Sequence, residues 1–515
     1  MCGILFSTLA NITQKRFECA LEKMRHRGPD VPMCHITHGK VQMGHNRLRI
    51  VGINEQSNQP YFSHDKRYII VYNGEVYNFR ELAAQYAIPL ETGCDTELIL
   101  KLSIKIGFHQ AVEQFNGMFA YVIFDTITNS FFAVRDRLGI KPLYWYQNGA
   151  DVIFASELSA ILSLLDKTEI DEIGLRQYRK LRAFFNGHTL YKQIQIFPAG
   201  HYFENGELKR YWELPQGEQE PPSDEELHNL IVSAIQYRQI SDVPVGCYLS
   251  GGLDSTIVAA IAGELHTWTV GFPDKNEFHY SELASRAFGT EHHEIVVQQS
   301  DFFPVAKRMI EHRQEPLSVP NEVLLYLMTK EVKKENTVVL SGEGADELFF
   351  GYDRIFRWAS NTAQFDIREF SQLYSYGTND DLEIVESVVE PFYQYGSPLN
   401  ILAAFFQIAH LHGLLRRLDN ATMMCSVEAR VPFTDHRLVE RLAGCPYWWR
   451  MPNGQVKGPL KRVFQDIVPQ PIICREKVGF PVPFVVYDDW FSFNMQTLGL
   501  ETLHGKESNN LYAGL

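Results

Sequence analysis

A cysteine stands at position 2, directly after the initiator methionine. Removal of that methionine would give Cys2 a free α-amine, and such amines have a reference pKa of about 7.7–8.0, so part of the population is neutral at cellular pH. The neutral amine could accept the thiol proton while the thiolate attacks a carbonyl carbon, so one residue would supply both nucleophile and base. A cysteine at a frayed terminus is the alternative, but the apolar run Gly3-Ile-Leu-Phe6 predicts that this end belongs to a sheet.

A second group of chemically capable residues is the segment Ser250-Gly-Gly-Leu-Asp-Ser255, which lies between a predicted strand and a predicted helix. Its two glycines allow the backbone to approach an anion closely, and the helix N-terminus directs N–H groups and a positive dipole toward that anion. This arrangement indicates a phosphate-binding loop. The segment lacks the G-x-x-x-x-G-K-[ST] spacing, which argues against a Walker-type kinase or GTPase.

A third segment, Ser341-Gly-Glu-Gly-Ala-Asp-Glu347, also follows an apolar strand. Carboxylates beside a bound polyphosphate need divalent cations between them, so Asp254 and Asp346 are candidate Mg²⁺ ligands. We expect Glu347 to be a surface charge in the first turn of a helix.

Two kinds of architecture must position these residues. Before residue 214, short apolar runs separated by turns predict strands, and the apolar run 118–124 predicts a strand covered on both faces, as in stacked sheets. After residue 226, strands alternate with helices, which favours a parallel α/β sheet, and the chain beyond Tyr352 is predicted to be mostly helical. The proline-rich and acidic segment 214–226 predicts a linker between domains 2–213 and 227–515.

The composition restricts the class of protein. The chain has 515 residues, 45% of them hydrophobic, and a net charge of −14. This length favours two or three domains, and the negative charge without a basic patch argues against nucleic acid or an anionic membrane surface as a partner. The eight cysteines form no C-x-x-C pair, so we expect a cytoplasmic protein without zinc fingers or a disulfide framework. We expect no signal peptide or membrane span, because polar residues interrupt the most apolar stretch, 399–415.

Five N-terminal motifs stand together: Arg25-His-Arg-Gly-Pro-Asp30, Arg47-Leu-Arg-Ile50, Asn73-Gly-Glu-Val-Tyr-Asn78, Gly93-Cys-Asp-Thr-Glu97 and Arg135-Asp-Arg-Leu-Gly-Ile-Lys-Pro-Leu-Tyr144. As a set they resemble the glutaminase part of the class II, N-terminal-nucleophile amidotransferases. The resemblance implies an αββα sandwich of antiparallel sheets, in which Cys2 attacks glutamine and Asn73 and Gly74 form the oxyanion hole. It further implies that Arg47 binds the carboxylate of glutamine and that Glu75 and Asp95 bind its ammonium group.

Other interpretations of these residues stay open. Asn73-Gly74 alone is typical of a hairpin turn, and Asp95 alone could cap the helix that begins near Thr96. We expect His26 and Arg27 to be structural or to form a lid.

The Ser-Gly-Gly-x-Asp-Ser pattern resembles the pyrophosphate loop of ATP pyrophosphatases. Three later segments, Met424-Cys-Ser-Val-Glu-Ala-Arg-Val-Pro-Phe433, Val456-Lys-Gly-Pro-Leu-Lys-Arg462 and Arg475-Glu-Lys-Val-Gly-Phe-Pro-Val-Pro-Phe484, extend the resemblance to the bacterial type of glutamine-hydrolysing asparagine synthetases. The resemblance implies a parallel-sheet ATP-pyrophosphatase domain with added helices, Mg²⁺ on Asp254 and Asp346, and Glu343 orienting or deprotonating the nucleophile. The ATP-binding residues that it implies are Leu249, Ser250, Gly251, Gly252, Asp254, Ser255, Val270, Ser341, Gly342 and Lys461.

The reaction implied by this resemblance is the ATP-dependent amidation of aspartate through β-aspartyl-AMP, with glutamine as nitrogen donor and an apolar tunnel for ammonia. Glutamine, aspartate and ATP would be the substrates, and a homodimer is a family-level expectation. One departure concerns the acceptor, because Pro320 stands where an arginine is usual. Another cation must then meet the aspartate α-carboxylate, and Arg430 is the candidate.

Two other functions remain open at the level of sequence. An amidotransferase of the same construction could act on a different carboxylate, such as a sugar acid, a peptide or an antibiotic precursor. A non-catalytic assembly or nutrient-sensing protein could keep the fold, although intact Cys2, Asn73, Asp254 and Asp346 argue against it.

Overall fold

The computed structural model describes residues 2–377, 380–476, 482, 484–485 and 487–500. The strands of the N-terminal part alternate in direction with their neighbours throughout. These strands are β1 (Gly3–Ser7), β2 (Cys34–His38), β3 (Val41–Asn46), β4 (Tyr61–Phe62), β5 (Tyr68–Val76), β6 (Gly117–Asp125), β7 (Ser130–Arg135), β8 (Tyr144–Asn148), β9 (Asp151–Ala155), β10 (Gln195–Ile196), β11 (His201–Glu204) and β12 (Glu207–Arg210).

The twelve strands form two sheets of six, in the orders β10-β8-β9-β1-β3-β2 and β12-β11-β7-β6-β5-β4. The two sheets pack face to face through apolar side chains that include Phe6, Val122 and Phe154. Helices cover the outer faces, with Gln14–Glu22 and Leu158–Leu164 on the first sheet and Asp95–Ile106 on the second. The layers therefore run helix, sheet, sheet, helix, as the resemblance implied.

Two details of this sandwich bear on the sequence predictions. β1 is buried along its whole length and pairs with β3 and β9, so the N-terminal end belongs to a sheet as predicted. β5 runs straight through Asn73 and Gly74, so the hairpin-turn interpretation of that dipeptide is wrong.

The C-terminal part is built on a parallel sheet in the order β15-β14-β13-β16-β17. Its strands are β13 (Val245–Tyr248), β14 (His266–Gly271), β15 (Glu291–Val296), β16 (Val338–Leu340) and β17 (Glu428–Arg430). The parallel sheet and strands β13, β14 and β16 were predicted, whereas β15 and the edge strand β17 were not.

Helices surround this sheet and make up most of the described chain beyond Tyr352, as predicted. The first of them, Asp224–Arg238, begins inside the segment 214–226 that was predicted as a linker. The α-helices of the whole described chain are Gln14–Glu22, Phe79–Gln85, Asp95–Ile106, Phe108–Gln114, Leu158–Leu164, Glu172–Leu181, Asp224–Arg238, Leu253–Ala262, Phe278–Phe288, Gln299–Arg313, Asn321–Val332, Ala345–Phe349, Asp353–Asn361, Ile367–Tyr374, Leu382–Val389, Pro398–Phe405, Leu411–Met423, His436–Leu442, Tyr447–Arg450, Gly458–Val463, Gln470–Cys474 and Tyr487–Thr497.

One continuous helical stretch, Pro398–Met423, is long and apolar enough to cross a membrane by length and composition alone. A π-helical segment, Phe406–His410, joins its two α-helical parts. Its apolar side chains, among them Phe405, Phe406 and Leu415, belong to the core of the C-terminal part. The stretch is therefore a core helix of this fold in the structure.

Asp435 is a buried acid at the contact between the two parts of the chain. Its carboxylate accepts hydrogen bonds from Arg238 Nη1 at 2.5 Å, from Arg437 Nη2 at 2.8 Å and from Asn116 Nδ2 of the N-terminal part at 3.1 Å. Burial alone would raise the pKa of Asp435, but the two arginines hold that pKa well below its ordinary value. The ionised carboxylate thus joins the two parts of the chain.

We expect Asp435→Ala to destabilise the protein, because it leaves the Arg238 guanidinium buried without its carboxylate. Removing one partner of a buried pair costs about 3–5 kcal/mol, which for a chain of this size lowers Tm by about 3–5 °C in thermal denaturation. Because the folded-state pKa of Asp435 is depressed, its contribution is present above the unfolded pKa of about 3.9 and is lost as the pH falls below it. An equal Tm for Asp435→Ala and the unmodified chain at pH 7 would contradict this prediction, and the exposed Asp274→Ala is the control.

Candidate active sites

Cys2 lies at the start of β1, where its neighbours fix its backbone. Its N–H donates to Asn73 Oδ1 at 2.9 Å, and its carbonyl oxygen accepts from Arg27 Nε at 3.1 Å. Asn73 reaches this point from β5, in the other sheet of the sandwich. The structure thus brings together the predicted nucleophile and the predicted oxyanion residue, and it gives Arg27 the structural role expected of it.

The surroundings of Cys2 suit nucleophilic attack that is assisted by a base. Burial raises the pKa of the Cys2 thiol, although the charge of Arg47 and a hydrogen bond from the backbone of Leu48 work in the opposite direction. The buried Nδ2 of Asn73 has no acceptor among the described residues, so it can donate to an oxyanion. Gly74 is required beside it, because a Cβ there would come within 2.1 Å of the Met118 carbonyl oxygen.

Arg47 lies in the same pocket with its guanidinium held by loop atoms. Nη1 donates to the carbonyl of Asn54 and to Asn58 Oδ1, both at 2.7 Å, and Nη2 donates to the carbonyl of Gly52. The side chain is 3% exposed, so a loop that wraps around it fixes its orientation. A guanidinium fixed in this way is pre-organised to pair with a carboxylate.

Glu75 and Asp95 are two buried carboxyl groups in this pocket. Asp95 accepts hydrogen bonds from Tyr72 Oη at 2.6 Å and from the Val76 N–H at 2.9 Å. It is the first residue of its helix rather than the cap, so the capping interpretation is wrong. Burial, together with the charges of Glu428 and Asp95, raises the pKa of Glu75 well above its ordinary value. Neighbouring buried carboxyl groups of this kind favour a cationic ligand, because the cation offsets their mutual repulsion.

The 250–255 loop lies at the carboxyl end of β13, as predicted for an anion-binding loop. Gly251 has φ +72°, and a Cβ there would come within 2.4 Å of the Tyr280 backbone. Gly252 precedes the helix Leu253–Ala262, and Ser255 Oγ accepts from the N–H of Ser250 at 3.2 Å. The N-terminus of this helix can therefore receive phosphate oxygens.

The 341–347 segment packs directly against the 250–255 loop. A Cβ on Gly342 would come within 3.1 Å of Asp254 Cβ, and Ser341 follows β16, which pairs with β13. Leu249 and Val270 are buried at the carboxyl ends of the neighbouring strands β13 and β14. The implied ATP-binding residues from 249 to 342 thus meet at one edge of the sheet.

Asp254 and Asp346 converge on a single side chain, that of Lys457. Its Nζ forms an ion pair with Asp346 Oδ1 at 2.7 Å and another with Asp254 Oδ2. Burial disfavours the charged amine, but the two carboxylates outweigh burial and raise the pKa of Lys457. Lys461 lies one helical turn further along, half-buried, and burial lowers the pKa of its amine.

Glu343 and Glu347 occupy different environments on the 341–347 segment. Glu343 forms an ion pair with Arg417 at 2.8 Å. Glu347 is 1% exposed and accepts from Tyr352 Oη at 2.5 Å, so the prediction of a surface charge is wrong. Burial and the carboxylates of Asp346 and Glu343 raise the pKa of Glu347 to about 8.

Arg430 does not serve as the free cation that was predicted for the acceptor. Its guanidinium is fully buried, donates to Glu428 Oε1 at 2.6 Å and lies 3.6 Å from Glu75 Oε1. Its carbonyl oxygen accepts from the Ser341 N–H at 2.9 Å. Arg430 therefore contacts the glutaminase-like pocket with its side chain and the 341–347 segment with its backbone.

Comparison with known families covers both parts of the chain. The asparagine synthase family model matches residues 226–509, and the glutamine amidotransferase domain model matches residues 1–212. The chain belongs to the asparagine synthase family.

Curated members of the asparagine synthase family resemble the chain over most of its length. Asparagine synthetase [glutamine-hydrolyzing] 3 of Bacillus subtilis is 30% identical, over 93% of this chain and 87% of its own. Asparagine synthetase [glutamine-hydrolyzing] 3 of Arabidopsis thaliana is 29% identical over 93% of this chain and 78% of its own, and asparagine synthetase B [glutamine-hydrolyzing] of Escherichia coli is 27% identical over 89% and 77%.

Three residues of this asparagine synthase family chain join the sites without having been predicted. Lys457 stands in the same Val456–Arg462 motif as Lys461, and only the structure shows which of the two faces the aspartates. Arg417 pairs with Glu343, and Arg475 Nη1 donates to the Gly251 carbonyl at 3.0 Å. An acidic or anion-binding motif is expected to have a cation nearby, but the spacing of residues in the sequence does not indicate which lysine or arginine supplies it. Part of the predicted segment 475–484 lies outside the described residues.

Proposed function

We propose that this protein makes asparagine from aspartate, ATP and glutamine, releasing glutamate, AMP and pyrophosphate. The observation that carries the proposal is the presence, in one asparagine synthase family chain, of a buried Cys2–Asn73 pair and an anion-binding loop beside two convergent aspartates. We propose domains 2–213 and 227–515 as the units that carry the two half-reactions. The alternative acceptors, a sugar acid, a peptide or an antibiotic precursor, are not favoured, because curated relatives over most of the chain are named asparagine synthetases.

In the glutaminase reaction, Cys2 attacks the side-chain amide of glutamine after removal of the initiator methionine. The α-amine of Cys2 takes the thiol proton, which the raised pKa of the buried thiol makes necessary. Asn73 Nδ2 and the backbone at Gly74 stabilise the oxyanion, while Arg47 holds the glutamine carboxylate. Glu75 and Asp95 hold its ammonium group. The α-amine returns the proton to the amide nitrogen, the C–N bond breaks and ammonia leaves, and water then hydrolyses the thioester to release glutamate and the free thiol.

In the synthetase reaction, the β-carboxylate of aspartate attacks the α-phosphorus of ATP at the 250–255 loop. The resulting pyrophosphate remains near the helix N-terminus and the ammonium of Lys457. The carboxylate oxygens of Asp254 and Asp346 come from the first turns of two helices, Leu253–Ala262 and Ala345–Phe349, and meet at one cation, a donor set that also fits Mg²⁺. Mg²⁺ bound there would neutralise phosphate charge. Glu343 orients or deprotonates the ammonia that displaces AMP.

We propose Arg417 as the cation that meets the aspartate α-carboxylate. It lies on the helix Leu411–Met423, and its Nη1 is 3.4 Å from Oδ1 of Asn321, which directly follows Pro320. Its Nη2 is at the same time bonded to Glu343. Arg417 thus places a guanidinium beside Pro320, where an arginine is usual. The same guanidinium lies next to Glu343, which is proposed to orient or deprotonate ammonia.

An acceptor screen tests the proposed substrate. With ATP, Mg²⁺ and glutamine present, we expect aspartate to stimulate pyrophosphate release, and we expect Arg417→Gln to raise the KM for aspartate by about tenfold or more, since charged hydrogen bonds contribute about 1.5–3 kcal/mol. The exposed Arg354→Gln is the matched control. Aspartate that leaves ATP turnover unchanged, while another carboxylate accelerates it, would refute the assignment.

A further inference from the structure

His26, Glu157 and His312 form a cluster outside both proposed active sites. His26 lies in the short helical turn Arg25–Arg27, Glu157 directly precedes the helix Leu158–Leu164, and His312 lies in the last turn of the helix Gln299–Arg313. One nitrogen from each histidine and one carboxylate oxygen lie within 4.8 Å of one another. Three segments that are distant in sequence thus bring three metal-binding side chains to one point between the two parts of the chain.

The separations within this cluster are close to those around a tetrahedral metal ion. His26 Nε2 lies 2.7 Å from Glu157 Oε1, and His312 Nε2 lies 3.4 Å from His26 Nε2 and 3.1 Å from His26 Nδ1. Ligands of tetrahedral zinc lie about 3.4 Å apart, given metal–ligand distances of about 2.0–2.1 Å. Small side-chain rotations would therefore make room for the ion between the three groups.

One carboxylate oxygen of Glu157, Oε2, can bind such an ion. Oε1 accepts hydrogen bonds from His26 and Arg27, whereas the buried Oε2 has no hydrogen-bond partner among the described residues. A buried carboxylate oxygen without a donor is costly, and a cation would satisfy it. The positive charge of Arg27 is offset by Asp419, 2.9 Å away. A metal ion at the cluster would therefore not be repelled by an uncompensated guanidinium.

The chemistry of the donors selects the class of metal. Two imidazoles with one carboxylate, and a fourth position for water, form a set that zinc uses in proteins. Imidazole suits zinc, copper and nickel, whereas Mg²⁺ prefers oxygen ligands throughout. His312 is exposed to solvent, which provides a route for the ion.

We propose that His26, Glu157 and His312 bind a divalent transition metal of the zinc type, and that this ion joins the N-terminal and C-terminal parts of the chain. His26 and Glu157 belong to the N-terminal part, while His312 belongs to the C-terminal part. The ion would lie next to Arg27, which holds the Cys2 carbonyl, but it would not contact the reacting atoms. It is therefore distinct from the Mg²⁺ proposed on Asp254 and Asp346.

The test is a titration of full-length, chelator-treated protein with Zn²⁺, followed by calorimetry, and with Co²⁺, followed by visible absorption. We expect one equivalent at this cluster, with the absorption of a tetrahedral Co²⁺ site and a rise in Tm on Zn²⁺ binding. We expect His312→Ala to weaken binding by about 100-fold or more, because changes to second-shell groups alone cost about 10–100-fold.

A second cluster supplies the control. His266, Glu291 and His293 are also close together, with His–Glu separations of 3.8 and 3.9 Å on the edge of the parallel sheet. His293→Ala should leave the site between the two parts of the chain unchanged. Unchanged Zn²⁺ affinity in His312→Ala, loss of binding only in His293→Ala, or no binding to the unmodified protein would each overturn the proposal. His312→Gln, which keeps a polar side chain of similar size, repeats the test if the alanine variant is poorly folded.

Discussion

Replacing Cys2 by alanine should abolish glutamine-dependent asparagine formation and leave ammonia-dependent formation intact. The thiol is the proposed nucleophile, and an alanine methyl group cannot form the thioester. Loss of a covalent nucleophile lowers activity by about 10³-fold or more. The backbone N–H of residue 2 still donates to Asn73, and the carbonyl still accepts from Arg27, so the variant should keep the fold.

The measurement is asparagine formed from glutamine and, separately, from ammonium chloride at a pH where free ammonia is available. Cys19→Ala is the matched control, because Cys19 is an exposed cysteine without a proposed role. If both activities disappear together in Cys2→Ala while Tm is unchanged, the separation of the two sites is wrong. Retention of glutamine use would instead exclude Cys2 as the nucleophile.

Lys457→Met should abolish pyrophosphate release while glutaminase activity remains. The ammonium of Lys457 lies between Asp254 and Asp346, and its loss removes the positive charge that both carboxylates contact beside the proposed phosphate site. Removing one preorganised electrostatic contact of this kind lowers kcat by about 10²–10³-fold. Methionine keeps most of the volume of the lysine stem, so the effect should come from the charge.

Lys461→Met is the informative comparison, because both lysines lie in one motif and one turn apart. We expect a decrease of at most about tenfold for Lys461→Met, since among the described residues Asp254 and Asp346 pair with Lys457 rather than with Lys461. The assay is ATP-dependent pyrophosphate release at saturating aspartate, with glutamate release as the internal control. A larger loss in Lys461→Met than in Lys457→Met would reverse the assignment of the two lysines.

Much of the fold was predictable, because apolar runs and turn residues report local structure directly. The strand predicted at 118–124 is the buried β6, and the alternation after residue 226 is the parallel sheet. β17 was not predictable in this way, since Glu428 and Arg430 are charged residues in a three-residue strand. They are buried because they pair with each other, and because Arg430 also meets Glu75, hundreds of residues earlier in the chain.

The sites show the same division. Cys2, Asn73 and the glycine loops belong to short motifs whose chemistry depends on neighbours in sequence. As predicted, the structure places Cys2 beside Asn73 in one site and the 250–255 loop beside the 341–347 segment in the other. The burial of Glu347 depends on which face of the helix Ala345–Phe349 points inward, and the position of Lys457 depends on the left-handed backbone just before the helix Gly458–Val463. Spacing in a short segment determines neither. The acceptor cation proposed here, Arg417, comes from a helix that is remote in sequence from Pro320, so only the tertiary structure points to it.

The buried polar and charged contacts between the two parts limit how this gene can recombine. Arg27, Asn116 and Glu75 meet Asp419, Asp435 and Arg430 across the contact, and all six side chains are buried. A chain divided near residue 220 would give two polypeptides, each exposing charged or polar groups that lose a partner across the contact. Recombination that replaced only one part of the chain would therefore have to preserve these contacts. We expect either part, when expressed alone, to need the other part to remain in solution.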